Sequence, residues 1–161
     1  IIVAASVLRV AGGWLADVIG GIRMLRIMFG VILVSIVAAS VMPSNPWVMV
    51  AILVICFSAM GAGNGAVFQL VPLRFAAVTA VAGSLIGEIG GLAGGFLPNA
   101  MGLGQQYYGS FAPGFWAGAI LTVGVILSLA IVSRSWKNTW VDENGRAIEH
   151  SFSKATPTVR T

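Results

Sequence analysis

The apolar residues of this chain fall into long runs separated by short turn-forming segments. Met24–Met42, Trp47–Phe75, Ala77–Met101 and Gly114–Ser133 each reach about the 20 residues that carry a helix across a bilayer. Ile1 to Asp17 reads as the last part of a further membrane helix. The breaks between runs are chemically distinct. Val18–Arg23 is a short glycine-bearing turn. Pro43-Ser44-Asn45-Pro46 stops one helix and starts the next, with Trp47 placed as an interfacial anchor. Gly102–Pro113 is an uncharged loop with Tyr107 and Tyr108 at the boundary. Residues 1–133 therefore form the membrane part, and 134–161, polar and ending in Ser, Thr and Pro, a flexible tail.

Composition turns this pattern into an exclusion. The chain is 58% hydrophobic and only 9% charged, against about a quarter charged in soluble domains, so a soluble core is excluded. The modest positive charge reports orientation. Arg23 and Arg26 flank the first break, Arg74 the third, and Arg134 with Lys137 the tail, while the second and fourth breaks carry no charge. Positive loops stay inside, which predicts a cytoplasmic C-terminus. The aromatics do not interleave with the basic residues as on a stacking platform, so no nucleic-acid partner is expected.

Cys56 is the single cysteine, which removes disulfides within the chain and cysteine–metal clusters; Val-Ile-Cys-Phe reads as apolar packing. The start Ile1-Ile2-Val3 is no signal peptide, and reads as the C-terminal piece of a longer polypeptide. No span holds a His or Asp pair or a Ser–His arrangement, and His150 lies in the tail. An enzyme is not expected, nor a metal or cofactor. A structural or sensor subunit would need a soluble domain that the short tail does not supply.

Four groups of residues carry candidate chemistry. Gly13, Asp17, Gly20 and Arg23 form a Gly-x-x-x-Asp helix end followed by a glycine turn and an arginine. Gly20 and Gly21 allow a tight reversal, and Asp17 can pair with an arginine or cap a helix; an ordinary loop is the plainer alternative. Arg9 lies eight residues before Asp17, about 12 Å along a helix, near mid-membrane. It is either an anion-binding guanidinium or, if the helix ends nearer Gly12, an arginine snorkelling to the surface.

On the next long span, Gly61, Gly65, Gln69 and Pro72 share a face, and Asn64 and Gln69 are its amides. This is either a polar pathway helix or a glycine packing seam. In the following span Gly83, Gly87, Gly91 and Gly95 recur every fourth residue, a face without side chains that allows close helix approach. Glu88, beside Ser84 and Gly91, should point into the bundle, and intramembrane acids are costly and usually functional. A structural ion pair is its alternative.

The first of these groups resembles the cytoplasmic loop motif of the major facilitator superfamily, with Val18 standing where a basic residue is usual. The runs Gly63-Asn64-Gly65-x-x-Phe68-Gln69-x-x-Pro72 and Gly83 to Pro98, in this order, resemble the nitrate/nitrite porter family of that superfamily, in its C-terminal half from the eighth helix onward. The resemblance covers about Ile1 to Ser133. It implies an all-α integral membrane fold: the C-terminal part of a twelve-helix carrier of two similar halves, with about four full spans plus the end of a fifth.

It also implies alternating-access transport of nitrate or nitrite across the cytoplasmic membrane, by antiport or proton-coupled uptake. The anion would be held between Arg9 and an arginine of the absent N-terminal half, with Asn64, Gln69, Gly87 and Gly91 near it. Gly83 to Gly95 would let helices slide. Glu88, where many relatives have a small residue, is a candidate for proton coupling. A superfamily carrier for another small anion is the alternative.

Overall fold

A computed structural model describes residues 2–41 and 45–136, without the side chains of residues 2–5, 73, 74, 76, 93, 96, 97 and 136. Five α-helices follow one another: α1 (Ile2–Ile19), α2 (Gly21–Val41), α3 (Pro46–Arg74), α4 (Thr79–Tyr108) and α5 (Ala112–Trp136), with a 3-10 turn at Ala76–Val78 before α4. No strand occurs among the described residues. The chain is an all-α membrane bundle consistent with the C-terminal part of a major facilitator fold. Gly21–Val41, Pro46–Pro72 and Ala112–Ser135 are long and apolar enough to span a membrane. α4, at 30 residues, is about 45 Å long.

The breaks are tighter than the sequence suggests. The first shrinks from six residues to Gly20 alone. Its φ of 93° reverses the chain, its N–H donates to the Ala16 carbonyl and its own carbonyl accepts from Met24. Arg23 therefore lies inside α2. Gly21 is needed for a different reason: a Cβ there would come within 2.7–2.9 Å of the Leu70 side chain on α3.

At the second break, Met42 at the end of the expected span and residues 43 and 44 of the expected turn lie outside the described residues. Asn45 caps α3 by accepting from the Trp47 N–H at 3.0 Å, with Pro46 in the first turn, where its missing N–H costs nothing.

The fourth break corrects an expectation. Gly102–Tyr108 is helix, not loop, and α4 ends only at Gly109, whose left-handed φ of 65° turns the chain. The glutamines are good helix formers, so only the glycines weigh against helix here. Gly104 and Gly114 let α4 and α5 close on each other, a Cβ on Gly114 reaching 2.5 Å from Met101.

Two cores hold the bundle. Ala16, Met24, Leu25, Ala62 and Ala66 pack α1, α2 and α3. Ile32, Ile36, Cys56, Ala59 and Ala119 pack α2, α3 and α5, which gives Cys56 the packing place expected of it. Polar groups inside return to their own helices. Ser35 donates to Val31 and Thr122 to Gly118, so neither leaves an unmet hydroxyl in an apolar interior. Large apolar side chains face outward in number, for example Val10, Leu92 and Ile131, as lipid contact requires. Alternation of the helices puts Arg23, Arg26, the end of α3 at Arg74, and Arg134 at one end of the bundle, the separation that the loop charges predicted.

Candidate functional site

α1 and α3 meet through residues with almost no side chain. A Cβ on Gly12 would overlap the backbone of Ala62, and one on Gly65 would overlap the Arg9 carbonyl and lie 2.8 Å from the Gly13 nitrogen. Ala16 and Ala66 are 1% and 0% exposed. Of the two readings open for the α3 glycines, Gly65 is thus part of a packing seam. Gly13 belongs to the same seam, a Cβ there standing 3.7 Å from the Gly65 carbonyl.

The seam fixes where Arg9 stands. α1 continues to Ile19, ten residues beyond Arg9, so Arg9 is about 15 Å from the helix end. The hydrocarbon half-thickness is also about 15 Å. The early helix end that snorkelling would need does not occur. With its backbone held on Gly65, Arg9 lays its guanidinium over Phe68, the central carbon 4.7 Å from the ring centroid. A guanidinium on a ring face gains electrostatic attraction and keeps the N–H donors at its edge directed sideways. Arg9 remains exposed within this chain.

Phe68 also reaches α4, its Cε1 standing 3.8 Å from a Cβ placed on Gly83. Three helices thus converge at Arg9, Phe68 and Gly83. Phe68 belongs to the Gly63–Pro72 run but was not singled out as a site residue, because nothing in the sequence shows that α1 and α3 bring it to Arg9.

The remaining candidates divide. Asn64 is exposed, one turn from Phe68 on the same face. Gln69 is partly buried, and its Oε1 is buried with no hydrogen-bond partner among the described residues. A bare acceptor oxygen repels an anion. Turning the amide over would present NH2 donors instead, an exchange that leaves the side-chain shape almost unchanged. Gly87, Gly91 and Gly95 are exposed, and a Cβ on any of them would meet nothing within 4 Å.

Glu88 does not point into the bundle formed by this chain. It is exposed, and Ser84 donates to its Oε1 at 3.3 Å. The spacing correctly joined Ser84 and Glu88 on one face, but that face is open. Pro98 interrupts the lower part of α4, and beside it the Asn99 amide donates to the Gly95 carbonyl at 2.9 Å. At the other end of the bundle Asp17 and Arg23 are exposed, with no ion pair between them among the described residues. No cluster of His, Cys, Asp or Glu able to hold a metal occurs among the described residues.

Arg9 is thus a cation seated on an aromatic ring beside bare helix backbone. Two curated proteins are similar to the chain. Over 150 residues, 91% of the chain, it is 29% identical to the "Nitrite extrusion protein" of Bacillus subtilis (strain 168). Over 97 residues, 60% of the chain, it is 35% identical to the "Probable nitrate transporter NarT" of Staphylococcus haemolyticus (strain JCSC1435). The chain is similar to nitrate/nitrite porters.

The alignments span 37% and 25% of these relatives' own lengths, so the chain corresponds to about a third or less of each. No family model matches the chain, and no solved structure matches it. The porter-like chain is a multi-pass membrane protein, and its curated relatives are transporters.

Proposed function

We propose that this chain is the C-terminal part of a nitrate/nitrite carrier of the cytoplasmic membrane, working by alternating access, with its C-terminus cytoplasmic. The observation that carries the reading is Arg9, a permanent cation about 15 Å from the end of α1, braced by Phe68. Nitrate and nitrite are small planar anions, and the guanidinium fork can meet two of their oxygens at once. The names of the two relatives support this substrate class.

In this proposal a second arginine, from an N-terminal half, faces Arg9 across the anion, and Asn64 and Gln69 contribute amide donors. The open glycine face at Gly87, Gly91 and Gly95 meets the other half and lets the two slide, with Gly83 packed beside Phe68 at its head. Gly13 belongs to the gating end with Asp17, Gly20 and Arg23. Glu88, near the same depth, is the candidate carrier of a coupled proton; antiport of the two anions needs no such group. The chain has no enzymatic role, and residues 134–161 serve as a cytoplasmic tail.

Uptake of nitrate and nitrite into proteoliposomes holding the full-length protein tests the reading. Saturable uptake, competed by the other oxyanion and not by chloride, is the expected result. Uptake equally competed by chloride would point to a carrier for another small anion. An absence of flux would remove the transport reading.

A further inference from the structure

One groove lies apart from Arg9 and has a charged head. It runs between α2 and α3 with a volume of about 460 Å³, walled by Ile27, Gly30, Val34, Ala38, Ile52 and Ile55 among others. Its lining is almost wholly apolar. Ile27 and Val34 are 48% and 69% exposed, and Ile55 is 53% exposed, so the groove is open on its outer side in this chain.

From Ile27 to Ala38 is eleven residues of α2, about 16 Å, which matches the roughly 15 Å of one leaflet's hydrocarbon. Arg23 lies one turn before Ile27 on the same helix face, and Arg26 precedes it directly. Both arginines are exposed, with no ion pair among the described residues. They sit in the first two turns of α2, whose first turn carries no acid of its own, and no ion pair ties them to Asp17 at the end of α1 among the described residues.

From this we infer a phospholipid site: an anionic lipid lies along α2 with its phosphate on Arg23 and Arg26 and one acyl chain in the groove. The occupant follows from charge and length together. A neutral apolar partner helix would gain nothing from the two arginines, and a free phosphate would leave the groove empty. A lipid of the adjacent leaflet fills both parts, at a depth set by the membrane itself. The site rests on the membrane-spanning reading of α2 and α3 and on this groove facing lipid in the full-length protein, and not on the identity of the transported anion.

Native mass spectrometry of the full-length protein, exchanged between phosphatidylglycerol and phosphatidylcholine of identical chains, tests it. Preferential retention of phosphatidylglycerol is expected, with about a fivefold loss of that preference for each arginine neutralised in Arg23→Gln and Arg26→Gln. A second variant separates chain from headgroup. Gly30 lines the groove, and a Cβ there meets nothing within 4 Å, so Gly30→Leu, with an unchanged melting temperature as its control, should fill the groove and weaken retention of both lipids. Equal retention of the two lipids by the wild type would overturn the inference. So would a preference that survives the double arginine substitution, or inorganic phosphate displacing the lipid completely. Nitrate flux failing while lipid preference persists would overturn the transport reading and leave this site standing.

Discussion

The α1–α3 seam and the middle of α4 are both rich in glycine, and they do opposite things. At Gly12 and Gly65 the missing side chain is already used, because the neighbouring backbone occupies the space a Cβ would need. At Gly87, Gly90, Gly91, Gly94 and Gly95 the same absence meets open space. Neither core cluster includes a residue of α4. Glycine spacing therefore reports a capacity for close approach, and only the neighbour decides whether the result is a fixed joint or a free surface. Here the fixed joint holds the backbone that carries Arg9, while the α4 glycines face open space among the described residues.

Substitutions that add one methyl group separate the two regions most sharply. Gly65→Ala should be the most damaging, since rigid backbone stands in the way; overpacking costs about 1–3 kcal/mol, and loss of folded protein in a detergent melting experiment is the expected outcome. A wild-type melting temperature for Gly65→Ala would break the comparison.

Phe68→Leu removes the ring under Arg9, an interaction worth about 0.5–2 kcal/mol. It should lower nitrate-dependent thermal stabilisation several-fold while leaving the seam intact. Gly91→Ala should leave melting unchanged or raise it by up to about 1 kcal/mol through helix propensity, yet reduce flux if this face must slide against another half. Equal flux would make the open face a bystander. The smallest effect on stability belongs to Glu88→Gln, which alters only an exposed contact with Ser84. A pH profile of uptake that does not change in this variant would remove its coupling role.

What the sequence revealed follows from which forces are local. The α2 and α3 spans, the Gly20 reversal and the Asn45–Pro46 start depend on hydropathy and on single-residue backbone preferences, and they are legible. The length of α4 was not. Gly102, Gly104, Gln105 and Gln106 read as an uncharged loop, yet the helix runs through them to Gly109, with Gly104 close to the start of α5. The direction of Glu88 was equally hidden. Helical spacing fixes which residues share a face, while the partner of that face is a tertiary fact. Arg9 stood out by its place along α1, whereas its stacking on Phe68 needed the α1–α3 contact to bring an arginine and an aromatic ring together.

The most direct test is nitrate flux through the full-length protein carrying Arg9→Lys, compared with wild type in the same liposomes. Lysine keeps the charge and loses the two-pronged donor geometry, so the account predicts transport reduced by about tenfold or more, the scale of one charge-assisted hydrogen bond, with normal folding. Wild-type flux in Arg9→Lys would contradict it.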